Sequence, residues 1–125
     1  MSHLPKIIVD VVPHKKQRYN TCGDYFKKGG DLHVRLSKMN SNHEFLVLIH
    51  ELIEWYLIDQ KGISIKEIDE FDILYEQTKT DSSEPGDDKN APYYDEHQFA
   101  TVIEKLLADK LGVNWRKYSE NVNSL

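Results

Sequence analysis

The residues best suited to chemistry fall in one segment, Ser41 to Gln60, SNHEFLVLIHELIEWYLIDQ. His50 and Glu54 are four residues apart, so on a helix they stand one turn above the other on the same face, close enough to hold one ion. Glu51 is turned by about 100° from His50, which suits a group beside an ion and not on it. Phe45, Leu46, Leu48, Ile49, Leu52, Ile53, Trp55, Tyr56 and Leu57 cover about two thirds of the helical wheel. Titratable side chains therefore project from a helix whose other faces demand burial, and buried charge needs a partner. On an exposed helix H-E-x-x-E would be an ordinary run of solvated charges; on an apolar one, a bound divalent cation is the better account.

The remaining histidines divide by position. His43 lies seven residues before His50, about 10 Å along the axis, so the two cannot share one ion. His3 and His14 fall in terminal or loop sequence, and His33 on a strand. His97 opens a later helical pattern and shares a face with Ala100, Thr101, Glu104 and Ala108. Small neighbours let another helix come close. Two readings of His97 stand side by side: a satisfied helix histidine, or one more ligand.

The elements that must position these groups follow in order. Ile7 to Val12 is β-branched between two prolines and reads as a strand at a sheet edge. Gly23 to Lys28 and Asp31 to Ser37 flank Gly29-Gly30 as a hairpin, with Leu32, Val34 and Leu36 alternating against His33, Arg35 and Ser37. Ser41 with Glu44, and Ser64 with Glu67, have capping-box spacing. They open the central helix, which stops near Gly62, and a second helix to about Gln77. On the latter, Ile65, Ile68, Phe71 and Tyr75 form the core stripe. Asp69, Asp72 and Glu76 form an acidic face expected to be solvated, with Asp72 a possible extra ligand. Residues 78–92, TKTDSSEPGDDKNAP, form a long polar loop, either a flexible connection or a lid. Tyr94 to Leu111 is the third helix, with Phe99, Ile103, Leu106, Leu107 and Leu111 expected to face the core. The tail is anchored by Trp115 and Tyr118 and then frays. The fold class is α+β, three main helices packed with a small antiparallel sheet.

Bulk properties bound the function. The chain has 125 residues, 39% of them hydrophobic, enough for one domain, 1–125, with one core. Its 16 basic and 21 acidic residues give a net charge of −5, which argues against nucleic acid and against an anionic membrane as partner. Lys15, Lys16, Arg18, Lys27 and Lys28 read as solvated turns. Cys22 is the single cysteine, so neither an internal disulfide nor a thiolate zinc cluster is available. The start MSHLPKIIVDVVP lacks leader architecture and no run is long enough to span a membrane. A cytoplasmic location is expected.

Taken together, DLHVRLS leading into HELIE, followed by EHQFATVIEKLLA, resembles minimal zincin-type metallopeptidases, with glutamate where their H-E-x-x-H motif carries its second histidine. HELIEW, EPGDD, APYYDEH, FATVIEKLLA and LGVNW are also similar to a family of small bacterial and phage proteins with an HExxE motif and no assigned activity. The first resemblance implies a zincin-like fold, metal ligands at His50 and Glu54, a catalytic glutamate at Glu51, and a third ligand from the later helix, placed at His97. Two histidines and one carboxylate are an established set for zinc or another divalent metal. The implied activity is metallohydrolase, peptidase-like, on a peptide or protein substrate, with Tyr93 or Tyr94 donating to the oxyanion and the substrate pairing with Asp31 to Ser37 if that strand is an edge. Two alternatives remain: a non-catalytic ion that pins two helices in an interaction protein, and a metal-free buried hydrogen-bonded network.

Overall fold

A computed structural model describes residues 3–125; Met1 and Ser2, where the N-terminal stretch read for a leader begins, lie outside the described residues. Three strands, β1 (Ile7–Val12), β2 (Gly23–Lys28) and β3 (Asp31–Ser37), precede four helices, α1 (Ser41–Lys61), α2 (Ile65–Thr78), α3 (Tyr94–Lys110) and α4 (Trp115–Asn123). The architecture is α+β, as expected, but with four helices. The tail expected to fray is instead helical, because Asn114 caps it by accepting from the Lys117 amide and Tyr118 is buried.

The sheet is mixed, which corrects the antiparallel expectation. Gly29 and Gly30, at φ of 59° and 86°, form the tight turn between β2 and β3, which pair antiparallel. β1 pairs parallel to β3, so the spatial order is β1-β3-β2 and β1 is an edge. The long connection from β1 carries the chain past β3 to the far side of the sheet before the hairpin returns β3 to the centre. A centrally paired β3 offers no free edge to a peptide. Its alternation holds for Leu32, Val34 and Leu36, which are buried, while on the face expected to be open His33 stacks on Phe26 and Ser37 is buried instead of exposed.

The inner face of the sheet supports α1, whose Leu46, Val47, Trp55 and Ile58 join Leu32, Val34 and Leu36 in one core with Ile68 of α2 and Ala108 of α3. The cap of α1 is Asn40, not Ser41: the Asn40 side chain accepts from the His43 amide, while Glu44 accepts from the Met39 amide at 2.7 Å. Ser41 is already helical. The Ser64–Glu67 capping box at α2 forms as expected, and Gly62, at φ 74°, closes α1 in the left-handed conformation.

Helix α3 departs most from expectation. Phe99, Leu106 and Leu111 are exposed, and the face turned to α1 carries Glu96, His97, Ala100, Glu104 and Ala108. Ala100 and Ala108 let the two helices approach, and Glu104 between them reaches His50 across the interface. On α2, Asp72 is buried and the acidic face is not simply solvated: Asp69 pairs with Arg18 at 3.0 Å and Glu76 with Lys79 at 2.9 Å. No helix among the described residues is long and apolar enough to cross a membrane.

Candidate metal centre

The i, i+4 spacing on α1 and the small face of α3 bring His50, Glu54 and His97 together. His50 Nε2 lies 3.0 Å from Glu54 Oε2 and 3.1 Å from His97 Nδ1, and His97 Nδ1 lies 2.9 Å from the same Glu54 oxygen. All three residues are buried, at 6%, 4% and 6% exposure. Protons cannot satisfy this triangle in full. If both nitrogens donate to Glu54, two N–H groups face each other across 3.1 Å; if one is bare, Glu54 loses a donor. A cation at the centre meets three lone pairs at once, so the donor set fits a divalent ion, which these three residues could hold.

Each of the first two candidate ligands is fixed from behind. His50 Nδ1 is 2.7 Å from Glu104 Oε1, and Glu104 Oε2 accepts from the Tyr118 hydroxyl at 2.6 Å. The second oxygen of Glu54 accepts from the Tyr25 hydroxyl at 2.7 Å. A carboxylate behind a ligating imidazole sets its tautomer and orientation. Without an ion the cluster is tightly charged. Burial alone lowers the affinity of His50 for its second proton, but Glu104 and Glu54 outweigh it and push the value up to about 10. For His97, burial is likewise overcome by Asp87 and Glu54, and the value rises to about 12. For Glu54, burial would raise the value, and hydrogen bonds from the two histidines hold it at about 2.

Glu51 lies against Gly23 in a cleft of about 440 Å³ lined also by His50, Glu54, His97, Tyr25 and Tyr93. A Cβ at Gly23 would sit 2.6 Å from Val47 Cγ1 and 2.8 Å from Glu51 Oε1, so glycine is what admits the carboxyl there. Burial, then the Glu54 charge, push Glu51 well above the ordinary carboxylate range. It forms no salt bridge among the described residues.

Two expectations are corrected. Asp72 is not in the cluster: it accepts from the Tyr19 hydroxyl at 3.1 Å and from the Tyr93 hydroxyl. Tyr93 is thereby committed to Asp72 and is not free to donate to an oxyanion, while Tyr94 packs against the core. The loop 78–92, read as either a flexible connection or a lid, lies against the site. A 3-10 turn, Pro85–Asp87, places Gly86 so close to the His97 ring that a Cβ would overlap it. His43 is outside the site as expected, accepting from Asn121 at 2.7 Å through Nδ1.

Sequence reasoning missed Tyr25, Glu104, Tyr118, Glu84 and Asp87. Glu104 carried a usable signal, an acidic residue seven after His97 on the same small-residue face. The strand and tail tyrosines carried none. No protein-family model, no curated protein and no solved structure matches this chain. The resemblance to zincins consequently rests on the motif and is not shown as a likeness of fold.

Proposed function

We propose that the protein is a divalent-metal hydrolase, peptidase-like, with zinc as the ion, His50, Glu54 and His97 as its ligands and Glu51 as general base. The observation that carries this reading is Glu51: a carboxyl on the cleft wall beside the three ligands, without a cationic partner among the described residues. Held by His50, Glu54 and His97, an ion would supply a bound water of lowered pKa, towards ~7. Glu51, held high by burial, would act from the cleft wall as the base that takes a proton and passes it to a leaving amine. Tyr25 and Glu104 keep the ligands oriented. β2 borders the cleft through Gly23, Asp24 and Tyr25 and, among the described residues, pairs only with β3, so it replaces β3 as the strand an extended peptide would pair with.

The decisive experiment is Glu51→Gln, with zinc content by elemental analysis and hydrolysis of a peptide library by mass spectrometry. Zinc near one equivalent or more with hydrolysis reduced at least a hundredfold supports the assignment; undiminished hydrolysis overturns it. The depth of all three ligands between α1 and α3 favours a second reading, a structural ion joining the helices in an interaction protein. That reading expects zinc in the wild-type protein and no hydrolysis to lose.

A further inference from the structure

His97 presents its second nitrogen to a different pair of carboxylates. Nε2 is 3.3 Å from Asp87 Oδ1 and 3.5 Å from Glu84 Oε2. That nitrogen is buried and has no hydrogen-bond partner among the described residues, on a side chain only 8% exposed. Both carboxylates are within salt-bridge distance of that nitrogen.

The sequence E-P-G-D explains why both acids arrive together. In a 3-10 turn, residues three apart eclipse one another, so Glu84, the cap of Pro85–Asp87, and Asp87 project from the same side. Gly86 allows the turn to lie flat against the imidazole, and Gln98 Nε2 donates to Asp87 Oδ1 at 3.0 Å and aims it. An ion ~2.1 Å from each ligand in a tetrahedral shell spaces those ligands about 3.4 Å apart, close to the 3.3 and 3.5 Å that separate His97 Nε2 from the two carboxylates.

We propose a second divalent-cation site formed by Glu84, Asp87 and His97 Nε2, so that His97 bridges two ions and the second ion ties the 84–87 turn to the centre. As a bridge the ring is an imidazolate, its last N–H proton passing to solvent. The site rests on the proposed function only in sharing His97; it requires no hydrolysis. The two carboxylates are 46% and 54% exposed at the side chain, so an entering ion meets them first.

The test is zinc titration of chelator-stripped protein by calorimetry, with stoichiometry from native mass spectrometry, for the wild type, Glu84→Gln/Asp87→Asn and His50→Gln. Both loop substitutions are on exposed side chains and leave the core intact. The expected result is two equivalents in the wild type, with the weaker step lost or weakened at least tenfold in the double variant and retained in His50→Gln. One wild-type equivalent that the double variant binds unchanged overturns the second site and leaves the first standing. One equivalent abolished by the double variant and untouched in His50→Gln supports the loop site and overturns the His50 assignment. No uptake by any form overturns both.

Discussion

Glu54 and Asp72, two buried carboxyls in one cleft, are set apart by what donates to them. Glu54 receives both imidazoles and Tyr25 and stays ionised; Asp72 receives only two tyrosine hydroxyls, and burial raises it from 3.8 to about 7. Because the folded value lies above the unfolded one, this group contributes most at low pH. Its contribution is lost as pH rises through about 7, a change on the order of 4 kcal/mol. Asp72→Asn should flatten that slope. In urea unfolding with chelator present between about pH 4.5 and 6, where the histidines are protonated in both states, the wild type should lose stability faster than the variant; parallel curves would show Asp72 ionised throughout. Such residues differ in how far sequence betrays them. His50 and Glu54 announce themselves by spacing on an apolar helix. Asp72 looks like one of three acids on a solvated face, because the tyrosines that bury it come 53 positions before it and 21 after it.

At the scale of elements, hydrophobic periodicity located every helix up to Lys110 and then misassigned the inner face of one. Phe99, Leu106 and Leu111 outrank Ala100, Glu104 and Ala108 on any transfer scale, yet α3 turns the second set inward. A helix can bury polar side chains when the facing helix satisfies them, and His50 and Glu54 do so for Glu104 and His97. The partner set the pattern, and partners separated by 40 residues or more are not visible in a window of one helix. The loop before α3 was legible in composition only; its turn chemistry, E-P-G-D, fixes its contact with His97. Gly86→Ala tests that contact. The added methyl overlaps the His97 ring, so the turn must lift, with a loss of about 1–3 kcal/mol and a weaker second zinc step. Thermal unfolding and zinc titration of this variant report the two effects separately, and an unchanged second step would detach the turn from the site.

For the whole molecule, the cluster is the point where most elements meet. α1 supplies His50 and Glu54, α3 supplies His97 and Glu104, β2 reaches in with Tyr25, and α4 closes the far side with Tyr118. The C-terminal helix thus acts on the candidate centre through two hydrogen bonds: Tyr118 fixes Glu104, and Glu104 fixes the tautomer of His50. A mixed sheet and a fourth helix were not needed to find the ligands in the sequence, but they are needed to hold them still. Tyr118→Phe removes one oxygen, keeps the ring packed on Trp115 and His43, and leaves Glu104 Oε2 without that donor. Glu104 is then free to rotate, and His50 loses its fixed presentation of Nε2. Loss of such an outer partner weakens metal binding about 10–100-fold. Competition against a chromophoric chelator should show this for the tighter zinc step, with far-UV circular dichroism unchanged. Saturating zinc at ~100 times its dissociation constant should stabilise the wild type by about 2.7 kcal/mol, and the variant should need correspondingly more zinc for the same rise in Tm. Equal zinc affinity in the two proteins would mean that α4 only covers the core, and that His50 is oriented by its place on α1 alone.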